Sequence, residues 1–257
     1  MFAEERLVRI VEIVNRQGKV TVAELSEALD VSPVTVRRDL ERLEEEKLLR
    51  RTHGGAMAAR GLLREAAHEK SFSEKEEAFA AEKERIAAAA AALVQEEEAL
   101  LLTPGTTNMF LIRKLADKRR LTVVTNASNL PALVPPGNEW EVLLIGGKMR
   151  PKSFALVGPL AERSLDEVRV DKLFLGVDGF HMKDGLSTPS LEEASVNRRM
   201  ISIAQQVIVV ADHSKFGKVT FGRIASLDSV HTVITDRLLS KADREALEER
   251  GIEVILV

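Results

Sequence analysis

Gly105, Thr106 and Thr107 follow the apolar run Leu100-Leu101-Leu102 and open a helical stretch. A junction of this kind suits anion binding. Glycine lets backbone approach a ligand, a helix start offers free N–H groups with partial positive charge, and the threonines add hydroxyl donors. Threonine is equally a routine helix cap, so the tripeptide alone leaves phosphate binding and plain capping both open. Other apolar runs in this half of the chain also end in polar clusters: Val124-Thr125-Asn126, Gly146-Gly147-Lys148, Gly176-Val177-Asp178-Gly179 and Ala211-Asp212-His213-Ser214-Lys215-Phe216-Gly217. Asp178 can accept sugar hydroxyls and Lys215 can neutralise a phosphate as a point charge. Asp-Gly is also a common turn, and a lysine near glycine is usually solvated. Asn126, Gly147 and Gly179 complete the candidate ligand set. Glu192 and Glu193 start a helical segment that carries Arg198 and Arg199 later, an order that suits the helix dipole without any ligand.

A second constellation, near the amino end, has the chemistry for reading DNA. The segment Asp30-Val31-Ser32-Pro33 restarts a helix, with Ser32 as its cap and Pro33 where a missing N–H costs nothing. Val36, Leu40 and Leu43 form one buried stripe, and the opposite face carries Val34, Arg38, Glu41 and Arg42, flanked by Thr35 and Arg37. A helix fits the major groove and Arg can pair two acceptors on guanine. Arg38 and Thr35 are assigned to base edges, Val34 to a thymine methyl, and Ser32 and Arg37 to phosphates; Arg42 is included among the DNA contacts. Asp39 points toward the core stripe and is expected to orient an arginine. Arg50, Arg51 and His53, in the stretch Leu48–Ala56, read as the basic base of a hairpin wing with a Gly54-Gly55 turn, lying along a phosphate backbone. The competing reading is a small helical protein-interaction domain.

The elements that must hold these residues follow from periodicity. A first helix spans about Phe2–Arg16, and Thr21-Val22-Ala23-Glu24 opens a second with a capping box; Thr21 is included among the DNA contacts. From Ala99 onward short apolar runs (99–102, 121–125, 141–145, 172–176, 206–211, 232–235 and 253–257) alternate with amphipathic segments, which predicts an α/β domain with a largely parallel sheet. Between the halves the composition shifts to Ala, Glu, Lys and Arg. The expected division is therefore a winged helix-turn-helix over 1–57, a connector over 58–80 that carries changes in domain arrangement, and an α/β effector domain over 81–257.

Composition narrows the alternatives. Among 257 residues, 37 Lys+Arg stand against 40 Asp+Glu, a net charge of −3, which argues against a generally basic nucleic-acid coat. Residues 1–60 hold 11 of each sign, so the whole deficit lies outside the first module. There are no cysteines, and the five histidines lack metal-ligand spacing, so no metal site is expected. Walker A, G-x-G-x-x-G and G-x-S-x-G are absent, and no cofactor is expected. No apolar run reaches membrane length and no secretory leader is legible, so the chain reads as cytoplasmic and without a membrane partner.

Val20–Leu25, Val31–Leu40 and Arg51-Thr52-His53-Gly54-Gly55-Ala56, at their mutual spacing, resemble the amino-terminal signature of the DeoR family of bacterial transcriptional regulators. The resemblance continues through Gly105-Thr106-Thr107, Thr125-Asn126, Gly146-Gly147, Val157-Gly158-Pro159, Asp171–Gly176, Gly185–Thr188, Ala211–Gly217 and Ile234-Thr235-Asp236. It implies binding to double-stranded operator DNA by a homo-oligomer, dimer or tetramer, and repression of carbohydrate metabolism genes relieved by a phosphorylated sugar. It implies a second domain similar in fold to ribose-5-phosphate isomerase, and it makes Glu192 a site candidate. Members commonly have an acidic residue where this chain has Thr103. The alternative function is a sugar-phosphate isomerase with an accessory helical domain, for which Glu192, Glu193 and Asp212 are available carboxylates.

Overall fold

The computed structural model describes residues 3–45, 49–52, 54–58 and 69–257. The chain divides into two compact units, Met1–His68 and Glu69–Val257.

The first unit runs α1 (Ala3–Gln17), β1 (Lys19–Thr21), α2 (Val22–Leu29), α3 (Pro33–Glu45), β2 (Leu49–Thr52) and β3 (Gly55–Ala58). Leu7, Ile10 and Val14 of α1 pack with Leu25, Leu29, Val36, Leu40 and Leu43 in one core. The turn between α2 and α3 is tight because both sides are capped. Asp30 takes a left-handed conformation (φ 52°) that closes α2, and Ser32 Oγ accepts the Thr35 N–H at 3.2 Å. The three strands form an antiparallel sheet in the order β1-β3-β2. β1 is absent from the sequence reading because three residues are too few to show a period. The Gly-Gly turn is also corrected: Gly55 is a strand residue paired with Thr52 and Thr21.

The second unit begins with α4 (Phe72–Glu77) and α5 (Ala80–Ala92), followed by β4 (Ala99–Leu102), α6 (Thr106–Lys114), β5 (Thr122–Thr125), β6 (Glu141–Leu144), β7 (Lys148–Met149), β8 (Leu156–Val157) and α7 (Pro159–Asp166). It continues through β9 (Val170–Leu175), β10 (Gly179–His181), β11 (Gly185–Thr188), α8 (Leu191–Ile203), β12 (Ala204–Val210), β13 (Gly222–Ala225), β14 (Thr232–Thr235), α9 (Lys241–Glu248) and β15 (Glu253–Leu256). Seven strands form a sheet in the order β15-β14-β12-β9-β4-β5-β6, and every neighbouring pair is parallel. Strand alternation divides the core between its faces. Leu101, Leu173, Leu175, Val207, Val209 and Val233 face one side; Leu100, Leu102, Phe174, Ile208, Val210 and Ile234 face the other.

The sheet order positions the site. From β4 the chain winds one way to β5 and β6; from β9 it winds the other way to β12, β14 and β15. The loops after β4 and β9 therefore diverge, leaving a crevice at the carboxyl ends of these strands, where open α/β sheets bind ligands. Two small antiparallel additions, the β7–β8 pair and the sheet β10-β11-β13, lie outside the alternating pattern that the sequence displays. Among the described residues, no helix is long and apolar enough to cross a membrane.

Candidate effector pocket and DNA-reading surface

A pocket opens at the crevice. Gly105, Thr106, Thr107, Asn126, Asp178 and Lys215, all named from the sequence, line it together. Gly105 precedes α6 with φ 150° and ψ 155°, a region that side-chain-bearing residues avoid. The first residues of α6, Thr106, Thr107 and Asn108, line the pocket beside it. Asn126 donates from Nδ2 to the Leu156 carbonyl at 2.9 Å, while its Oδ1 is buried without a partner. Thr103, at the position of the departure from the family pattern, is buried and joins two strand ends. Its hydroxyl accepts the Gly176 N–H at 2.9 Å and the Asn108 amide at 3.2 Å.

Gly147, Gly179 and Glu192 do not line the pocket. The two glycines answer to close packing: a Cβ would lie 2.7 Å from the Val157 carbonyl at Gly147 and 2.4 Å from Ser187 Oγ at Gly179. Glu192 turns outward and pairs with Lys148 at 2.8 Å. Its neighbour Glu193 faces inward, holding Arg150, Ser153 and, at 2.9 Å, the Thr188 hydroxyl.

The cations of the pocket were largely hidden from sequence reasoning. Phe72 and Lys75 line it from α4, inside the stretch read as a connector, and Lys83 lines it from α5. The signal that could have found α4 is Ser71-x-x-Glu74, a capping box in which Ser71 N donates to Glu74 Oε2 at 2.8 Å. Lys75 Nζ pairs with Asp178 Oδ1 at 2.7 Å. Burial opposes both charges, but each sustains the other: the Lys75 ammonium is held above its ordinary value, and the Asp178 carboxyl, facing Lys75 and Lys215, below its own. Lys83 is only 4% exposed. Its Nζ donates to the carbonyls of Lys75 and Ala78 at the end of α4. Burial pushes its pKa down to about 8, against the pull of Asp212 and with Lys215 and Lys75 adding to the fall. Lys215 has no side-chain hydrogen bond or ion pair among the described residues. The pocket thus presents ammonium groups and a helix start to an anion, and a carboxylate and amide oxygens to hydroxyls.

On the first unit, Val34, Arg37 and Arg38 project from α3 into solvent, Val34 at 69% exposure. Ser32 and Thr35 share a hydrogen bond at 2.9 Å at its amino end. Arg42 is exposed on the following turn, and Arg50 is half-buried on β2. Arg51 is held by α3: its Nη1 pairs with Glu41 at 2.7 Å and its N–H donates to Glu44 at 2.9 Å. Thr21 is exposed but its hydroxyl serves the α2 capping box, accepting the Glu24 N–H at 3.2 Å and donating to Glu24 Oε2 at 2.8 Å. Asp39 is buried and takes both Nε and Nη2 of Arg6 (2.6 and 3.1 Å), so the arginine it orients comes from α1. His53 lies outside the described residues.

A capped helix pair with a wing, ahead of a parallel-sheet domain with a polar pocket, defines a ligand-sensing DNA-binding regulator. Comparison with known proteins agrees: residues 6–60 match the DeoR-like helix-turn-helix domain and residues 78–237 match the DeoR C terminal sensor domain. The chain belongs to the DeoR family of transcriptional regulators. It is 38% identical over 257 residues to the HTH-type transcriptional regulator YulB of Bacillus subtilis, covering 100% of this chain and 98% of the relative. To the HTH-type transcriptional repressor GlcR of the same organism it is 33% identical over 258 residues, covering 100% and 97%. The relatives aligned end to end are named as transcriptional regulators, which does not favour the isomerase alternative. A ribose 5 phosphate isomerase A from Neisseria gonorrhoeae overlays 54% of this chain and 53% of its own at TM-score 0.38 and 16% identity; an overlap of that size carries no argument.

Proposed function

We propose that the protein is a homo-oligomeric, cytoplasmic repressor of carbohydrate metabolism genes that leaves its operator when a phosphorylated sugar enters the pocket. The observation that carries this reading is the convergence of the α6 start with Lys75, Lys83 and Lys215 around one polar pocket. Phosphate would sit at Gly105-Thr106-Thr107 and the lysines. Sugar hydroxyls would meet Asp178 and the unpartnered Asn126 Oδ1. On the DNA side, Arg38, Thr35 and Val34 read base edges, while Ser32, Arg37, Arg42, Arg50, Arg51 and His53 meet phosphates. Glu41 must then give up Arg51 to a phosphate, and Thr21 contributes through the helix start that it caps. The ligand acts by binding the DNA-competent and DNA-released states with unequal affinity.

The test is operator affinity at fixed salt, on DNA selected from a random pool, with and without a panel of phosphorylated sugars. At least one should weaken binding about tenfold or more, within the usual range of coupling between sites. A broad panel with no effect would remove the sensing half of the reading.

A further inference from the structure

The connection between β7 and β8 makes contacts that ligand binding alone does not require. Arg150 grips Glu69 with two donors, Nη2 to Oε2 at 2.7 Å and Nη1 to Oε1 at 3.4 Å. The same Nη1 donates to Glu193 inside the pocket. Two further contacts hold the same stretch: Lys152 Nζ donates to the Glu69 carbonyl at 3.3 Å, and Phe154 meets Phe72 edge-on at a centroid distance of 5.2 Å. Ser153, between them, donates to Glu193. Lys152, Ser153, Glu193 and Thr188 all line the pocket.

Glu69 is the first residue of the second unit, where a carboxylate would ordinarily stay in water. Its side chain is instead 4% exposed. Burying a charge is costly unless it is paired, so the placement of Glu69 depends on Arg150. A rigid guanidinium fork is suited to holding two carboxylates at once.

We propose that Arg150 is a positioning residue that clamps the pocket carboxylate Glu193 to Glu69, and that this clamp maintains operator-binding competence in the ligand-free protein. The ligand half of this idea rests on the pocket reading above. A ligand that takes the hydroxyls of Ser153 or Thr188, or Glu193 itself, redirects Arg150 and loosens Glu69, so removing the clamp imitates occupancy.

The full-length, ligand-free protein tests this directly. Arg150→Gln and Glu69→Gln should each weaken operator binding about tenfold at fixed salt, with Arg150→Lys intermediate because an ammonium cannot reproduce the fork. Lys148→Gln, which breaks only the outward pair with Glu192, should stay within about twofold of the parent on the same scale. Amide exchange over residues 69–77 should accelerate in both Gln variants, with the central sheet strands unchanged. Should Arg150→Gln also loosen the sheet, Glu69→Gln decides, because it leaves the Arg150–Glu193 contact in place. Parent-like operator affinity in Glu69→Gln would overturn the proposal. The pocket reading fails separately, if no phosphorylated sugar releases the parent protein.

Discussion

Lys83 is a lysine buried in the wall of the pocket, 4% exposed. Burial lowers its pKa to about 8, so it loses its charge within an accessible pH range. The folded chain binds fewer protons at this site than the unfolded chain between about pH 8 and the ordinary lysine value. This group therefore adds stability as pH rises through that window. Anion binding should run the opposite way. Affinity for an effective sugar phosphate should fall about tenfold between pH 7 and pH 9, and Lys83→Met should flatten the profile; titration calorimetry in buffers of differing ionisation enthalpy would detect the coupled proton uptake. On α3, Arg38→Ala should cost about 1–3 kcal/mol of specific binding and relax one base preference. Equal losses on selected and random DNA would contradict base reading. Glu192 and Glu193 show why residue assignments run out in sequence: both open one helix, and only the rotation of α8 against β11 decides which faces Thr188.

Among the elements, the wing is held by the narrowest tolerance. A Cβ on Gly55 would lie 1.9 Å from the Val20 carbonyl, a backbone atom that cannot step aside. Gly55→Ala should open the β1–β3 pairing and abolish operator binding. The second unit, with its own core, should still bind its ligand; gel shift and calorimetry on the same preparation would separate the two effects. The capping boxes are a milder matter: Ser71→Ala should cost about 1 kcal/mol at α4 and weaken ligand binding through Lys75, as thermal melting and titration would show. Capping residues and strand alternation were legible because they are local. The Thr21–Glu24 box is complete within four residues, and β4, β5, β9, β12, β14 and β15 are short apolar runs; the Ser71–Glu74 box is equally local but was passed over inside the stretch read as a connector. The pairs β7–β8 and β10–β11 were not legible, because β7, β8 and β10 have only two or three residues and β11, Gly185-Leu186-Ser187-Thr188, is no apolar run.

For the whole molecule, a net charge of −3 and a balanced first module leave little general attraction to DNA. On the proposed homo-oligomeric reading, tight binding depends on two modules reading together. The protein should sediment on its operator as a dimer or larger, and selected sites should show half-sites about 10 bp apart or a multiple of that. A monomer on a single half-site would contradict this. The sequence by itself determined that there are two units, that the first is a capped helix pair with a basic wing, and that the second is a parallel sheet with polar strand ends. Each of those statements depends on neighbours within a turn or a strand. Only the tertiary structure decided that the order β9-β4 opens the crevice, that Lys75 and Lys83 reach it from the stretch before the sheet, and that Glu193 rather than Glu192 faces it. Residues far apart in the chain, such as Lys75 and Asp178, meet because hydrophobic faces pack around one sheet, and no local pattern encodes that meeting.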